Sequence, residues 1–362
     1  MAGAAAPAST LPNVETRQPS SRPPRNATER KLCDLWQRVL DVKDVGPQTN
    51  FFELGGYSLN VVRLFAELNR EFKTSLPFTL LFEAPTIERL AAAIERRDRL
   101  AFSCTVPVQP KGTQPPLFMI QSYLIYDALS RGLGADQPFY GMLEPPARHR
   151  KPPYRLEDLA SLYADAIERV HPDGPYSIAG WCAAGIVALE VARQLEARGK
   201  HIHLLGLIDA WCPVLPPGAI HIGGRKPIDQ QQILTLGSKL KGKLLELGER
   251  AHRRVWRKLA ARYLDRGQAL PRFLEDSSEL TLESIRRFRP RPVTCPIVVF
   301  RAEAQDFRPY EDEWCGWKPW TQNGVELVPV PGNHLSMFHE PQLSITAERI
   351  RTRLMVEEPC IH

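Results

Sequence analysis

The sequence predicts two units in one chain: a small all-α bundle of four helices, then a larger doubly wound α/β unit with a mostly parallel sheet and a helical insertion. Three observations carry that prediction. The chain has 362 residues, more than one ordinary domain needs. Up to about residue 97, apolar residues recur at helical spacing without strand signals. After Pro107, short apolar runs alternate with amphipathic segments, the order of a parallel sheet covered on both faces.

Residues 1–26 are rich in Ala, Pro, Ser and Arg without an apolar period, and read as a flexible leader. The helical unit is placed at 27–98. Its first helix carries Leu32, Leu35, Trp36, Val39 and Leu40 on one stripe. A loop with Gly46 and Pro47 leads to Phe51-Phe52-Glu53-Leu54-Gly55-Gly56, and a second helix carries Leu59, Val62, Leu64, Phe65 and Leu68. Pro77 and Pro85 punctuate two shorter segments, and Ile87 to Arg97 forms the last helix.

A linker is expected at 99–114 and the α/β unit at 115–355. Leu117–Ile120, Tyr176–Ala179, Leu204–Ile208, Ile297–Phe300 and Val325–Val330 read as buried strands. Leu156–Val170 and Ala183–Ala197 read as helices. From about 213 to 280 only helical signals occur, with a stripe through Ile233, Leu236, Leu240, Leu244, Leu247, Ala251, Val255 and Leu259. An insertion of helices after a strand end is where a lid over a site would sit.

Composition narrows the classes. The net charge of +6 is modest and gives no case for nucleic acid. Its excess is local: thirteen Lys or Arg lie between Arg225 and Arg272 against four acidic residues, the pattern of a solvated helix face. The seven cysteines are scattered without C-x-x-C spacing, which predicts neither a disulfide framework nor a metal site. No signal peptide is read in the first residues, and no apolar run reaches membrane-span length. A cytoplasmic protein is expected.

Phe52-Glu53-Leu54-Gly55-Gly56-Tyr57-Ser58-Leu59 resembles the attachment site of peptidyl and acyl carrier proteins. Two glycines allow a tight turn, and Ser58 opens a helix whose N-terminus suits a phosphate. The resemblance implies a carrier domain bearing covalent 4'-phosphopantetheine on Ser58, attached by a phosphopantetheinyl transferase. The plainer reading is that Ser58 only caps the helix. Tyr57 stands where His or Asp is commoner in such domains.

Gly180-Trp181-Cys182-Ala183-Ala184-Gly185 is read as the G-x-nucleophile-x-G elbow between a strand and a helix. With the preceding His171-Pro172-Asp173-Gly174-Pro175-Tyr176, it resembles the terminal thioesterases of nonribosomal peptide synthetases, which have the α/β-hydrolase fold. Those enzymes usually carry serine where this chain has Cys182. The resemblance places the acid at Asp209, after the strand 204–208. It places the base at His334, in Pro331-Gly332-Asn333-His334-Leu335-Ser336-Met337. Asp306 and His339 are alternatives, and a buried inert cysteine is the plain reading of Cys182. Ala183 N–H is expected as one oxyanion donor, with Gln121 or Ser122 supplying the second, because no glycine follows Ile120 until Gly132.

The two resemblances together imply the terminal module of a nonribosomal peptide or hybrid polyketide synthetase. An acyl or peptidyl thioester on the arm of Ser58 would pass to Cys182 and leave by hydrolysis or cyclisation. Upstream adenylation and condensation modules would supply it, with no nucleic acid, membrane or metal involved. Two other readings stay open: an acyltransferase shuttling between carriers through Cys182, and a non-catalytic carrier scaffold with a degenerate hydrolase fold.

Overall fold

The computed structural model of the chain describes residues 22–51, 54, 58–72, 76, 80–96, 103–122, 125–214, 255–271, 274–304 and 312–355. Two compact units divide the chain, residues 1–100 and 101–362.

The first unit contains α1 (Ala27–Leu40), α2 (Ser58–Phe72), α3 (Leu80–Glu83) and α4 (Ile87–Arg96). α1 starts where the Asn26 side chain accepts the Glu29 N–H at 2.7 Å, satisfying one of the donors that a helix start leaves free. It stops at Asp41, whose φ of +54° is left-handed. Leu32, Leu35, Trp36 and Val39 are buried, as the stripe predicts, against Leu64, Leu68 and Leu90. Phe51 meets Trp36 edge-on with ring centroids 5.0 Å apart.

The second unit is built on a seven-stranded sheet of order β1-β3-β2-β4-β5-β6-β7. Its strands are β1 (Thr105–Gln109), β2 (Leu117–Ile120), β3 (Phe139–Met142), β4 (Tyr176–Trp181), β5 (Ile202–Ile208), β6 (Ile297–Ala302) and β7 (Val325–Val330). β1 pairs antiparallel with β3, and every other pair is parallel. The helices are α5 (Tyr126–Leu133), α6 (Leu156–Val170), α7 (Ala184–Ala197), α8 (255–264), α9 (Ser277–Arg287) and α10 (Gln342–Met355). α6 and α7 bury Leu159, Tyr163, Ile167, Val187 and Val191 with the strand residues Phe118, Ile178, Leu205 and Val299.

β1 corrects the linker expected at 99–114, because Thr105–Gln109 belongs to the sheet. Pro107 disguised it; a proline is tolerated on an edge strand, and the register shifts there. β3 was hidden by its shortness and by Gly141. A Cβ at Gly141 would come within 2.0 Å of the Tyr126 ring, so that glycine marks a close approach inside a strand.

Of the expected insertion, 215–254 lie outside the described residues. α8 buries Trp256, Ala260 and Leu264 with Leu270, Leu274 and Leu280, and with Ala147 and Tyr154 from the loop after β3. Of the stripe residues that are described, Leu259 packs against this cluster and Val255 does not. Val255 is 57% exposed, while the larger Trp256 turns inward and donates its Nε1–H to Leu274 O at 3.0 Å. The root of the insertion is clasped through buried polar groups. Arg150 donates to Thr281 Oγ1 at 2.8 Å and to Ser284 Oγ at 3.1 Å, and the Thr281 hydroxyl donates to Glu144.

Candidate active site

The strand order reverses at β2 and β4, so the chain leaves the carboxyl ends of these neighbouring strands toward opposite sides of the sheet. Cys182 lies there, directly after β4. Its φ of +56° is left-handed, a conformation that a residue with a Cβ rarely adopts without tertiary restraint. Cys182 N–H donates to Ile208 O at 3.0 Å, and Gly185 N–H to Cys182 O at 3.1 Å. Only small residues permit this turn: a Cβ on Gly180 would stand 2.6 Å from Ala184 O, and one on Gly185 2.7 Å from the Ala210 Cβ. The glycine pattern needs one adjustment. Ala184 occupies its last position, and the glycine that the packing requires is Gly185.

Asp209 follows β5 with φ +41° and is fixed at both ends. Its N–H donates to Phe300 O at 2.7 Å, and its Oδ1 accepts from Ala302 N–H at 3.2 Å. Asp209 Oδ2 lies 2.6 Å from His334 Nδ1. His334 sits in the loop after β7, where Asn333 Oδ1 accepts the N–H groups of Leu335 and Ser336 at 3.1 and 2.9 Å.

His334 also interacts with Cys182. Burial pulls the imidazole pKa down, but its interactions with Asp209 and Cys182 outweigh it and hold His334 at about 9. At neutral pH this ring is therefore an imidazolium. The other described cysteines differ. Cys33, Cys104, Cys212, Cys295 and Cys315 are all buried, whereas Cys182 is partly exposed. Burial pushes the Cys33 thiol up to about 11 and those of Cys212 and Cys315 up to about 12.

Of the alternatives, His339 is exposed at the end of the turn Ser336–Phe338, and Asp306 lies outside the described residues. Ala183 is placed at the start of α7, where N–H groups have no partner within the helix. Gln121 is corrected as the second oxyanion donor. Its N–H is spent on Met142 O at 2.8 Å, extending the β2–β3 ladder, and Ser122 N–H donates to Tyr126 Oη at 3.3 Å. The next N–H groups belong to Tyr123 and Leu124, outside the described residues.

Two tryptophans at the site had no chemical signal in the sequence. Trp317 donates its Nε1–H to Ala210 O at 2.7 Å, steadying the turn that carries Asp209. Trp181 stacks on His334, with centroids 4.7 Å apart and planes 25° from parallel.

In the first unit, Ser58 is the first residue of α2, while the turn 55–57 lies outside the described residues. α2 has no acidic residue in its first turn, whereas α1 and α4 carry Glu29 and Glu88 there. A phosphate on Ser58 would meet a helix start free of like charge.

Residues 122–354, well over half of the chain, match the thioesterase domain family. The chain belongs to that family. Its α/β unit is the α/β-hydrolase fold of a thioesterase domain. Residues 30–94 match the phosphopantetheine attachment site family, so the chain joins a domain for covalent 4'-phosphopantetheine to a thioesterase domain. The indigoidine synthase of Dickeya dadantii is 35% identical over 219 residues, which are 59% of this chain and 15% of that protein. A dimodular nonribosomal peptide synthase of Bacillus subtilis is 27% identical over 351 residues, 92% of this chain and 14% of that one. A solved four-domain nonribosomal peptide synthetase, in its holo form with AMP and glycine, aligns over 94% of this chain and 27% of its own. That alignment has a TM-score of 0.53 and 25% identity. The thioesterase chain thus spans a small part of the curated relatives it matches. Among the described residues, no helix is long and apolar enough to cross a membrane, and no cluster of His, Cys, Asp or Glu could hold a metal.

Proposed function

We propose that this chain is the terminal carrier–thioesterase module of a nonribosomal peptide or hybrid polyketide synthetase, and that Cys182 is its nucleophile. One observation carries the reading. Cys182 is held in a left-handed elbow beside a His334 that is anchored on Asp209 at 2.6 Å, the relation of nucleophile, base and orienting acid.

Ser58 would hold the phosphopantetheine arm, which would supply the thiol that carries the acyl group. The Cys182 sulfur bonds the acyl carbonyl carbon. The original carbon–sulfur bond breaks, and the His334 imidazolium gives its proton to the departing sulfur. Ala183 N–H, at the positive end of α7, faces the negative charge that builds on the carbonyl oxygen. In the second step an acceptor attacks the Cys182 acyl group and gives its proton to neutral His334, and Cys182 leaves as thiolate. Asp209 keeps Nδ1 protonated, so the exchange occurs at the other ring nitrogen. Upstream adenylation and condensation modules load the arm, and a phosphopantetheinyl transferase installs it.

The cysteine favours a further reading of the second step. Exchange of thioester for thioester keeps the acyl group activated, which a serine ester would not. Ring closure, or transfer to another carrier's thiol, therefore competes with hydrolysis. Loading Ser58 with candidate acyl groups and identifying the product by mass spectrometry decides among them. Free acid or a ring supports release, and acyl on a second carrier supports the shuttle. Unaltered loaded carrier with every acyl group and acceptor supports a non-catalytic scaffold and defeats the proposal.

A further inference from the structure

We propose that Trp181 is a positioning residue for His334: its indole face carries the imidazolium as a cation on a π surface and fixes the ring plane between Asp209 and Cys182. The inference rests on the proposed roles of these three residues. Gly180 faces the start of α7, since a Cβ there would meet Ala184 O. Trp181, next along the strand, therefore points to the opposite face of the sheet. It lies there under the His334 ring at 4.7 Å, nearly parallel. Phe338 closes on it edge-to-face at 5.4 Å and 78°, so the indole cannot turn away without disturbing the loop that carries His334.

The second observation concerns the indole nitrogen. Trp181 is 1% exposed, yet its Nε1–H has no hydrogen-bond partner among the described residues. A buried donor without an acceptor is a cost that phenylalanine would not bear. What tryptophan adds over phenylalanine is the larger and more electron-rich face, the best of the three aromatic faces for a cation. Burial otherwise opposes the charge on His334, and the titratable groups acting on it are Asp209 and Cys182. Trp181 adds a third, uncharged support on the face of the ring.

The test is the titration of His334 by NMR with ring-labelled histidine, in the parent, Trp181→Phe and Trp181→Leu. The midpoint should fall by about half to one and a half pH units in Trp181→Leu, and by less in Trp181→Phe. Trp181→Phe should melt no lower than the parent, because it removes the unpartnered N–H. That variant decides the matter if Trp181→Leu does not fold. Changed melting with an unchanged His334 midpoint in Trp181→Phe would reduce Trp181 to a packing residue and overturn the proposal. Repeating the series in Cys182→Ala separates the two claims. A midpoint that still follows residue 181 there upholds the stack, even if Cys182 proves not to be the nucleophile.

Discussion

Ser58 and Cys182 each stand at the start of a long helix, α2 of 15 residues and α7 of 14, yet the two sites are built in opposite ways. Ser58 is a residue of the helix itself, at an N-terminus cleared of acidic side chains. Cys182 lies two residues before its helix, in a strained turn locked by a backbone hydrogen bond to β5, and it interacts with a His334 that is anchored on Asp209. A side chain that another enzyme must modify needs an accessible helix end. One that must itself attack needs a base, an orienting acid and a fixed backbone. On the proposed roles, the same partial positive charge would serve a phosphate in one unit and a transient oxyanion in the other.

The sharpest way to break this contrast is to give the elbow the carrier's side chain. Cys182→Ser should fold, because the elbow accepts a side chain of that size. The ratio of cyclised or transferred product to free acid should fall by about ten- to a thousand-fold, roughly 1.4 to 4 kcal/mol of transition-state free energy. An unchanged ratio with both enzymes active would assign the outcome to the acyl pocket instead of the sulfur.

Protonation separates the sites next. His334 is held at about 9, above the roughly 6.5 of a free imidazole. A base raised by folding contributes fully below its unfolded pKa and loses that contribution as pH rises through the folded value. The thioesterase unit should therefore lose on the order of 2–3 kcal/mol of stability between about pH 6.5 and 9. Urea unfolding across that window should show the slope in the parent and its loss in His334→Gln. A parent curve flat through pH 9 would mean that His334 is not charged in the fold.

Packing gives a smaller contrast. Gly180→Ala places a Cβ against backbone at 2.6 Å and should cost about 1–3 kcal/mol, with acyl transfer falling as the elbow shifts. Asn26→Ala, which removes only the α1 cap at 2.7 Å, should cost the carrier unit about 1 kcal/mol and leave alkylation of Cys182 unchanged. Thermal melts of the two variants, each with its iodoacetamide rate, check both expectations.

What the sequence could disclose follows the same division. The strand–turn–helix around Cys182 was legible because β4 and α7 have full-length apolar patterns and small residues between them. Asp209 and His334 were named through the family resemblance, each after a strand that could be read, and the structure brings them within 2.6 Å of each other. β1 and β3 were not: one contains Pro107, the other is four residues long around Gly141. Nor could the sequence assign backbone donors. Whether Gln121 N–H faces a substrate or Met142 O depends on a turn with φ +48°, which no residue pattern specifies. Trp181 was invisible for a simpler reason. An aromatic residue ending a buried strand looks like core.

The most direct test of the central claim is to trap the acyl group in transit. The carrier is loaded at Ser58 with a labelled acyl thioester, quenched in acid on the millisecond-to-second scale, and digested for mass mapping. The account predicts label appearing on the peptide containing Cys182 as it leaves Ser58, before product accumulates, and no label there in Cys182→Ala, which should retain the loaded arm. Release of product at the parent rate by Cys182→Ala would contradict it.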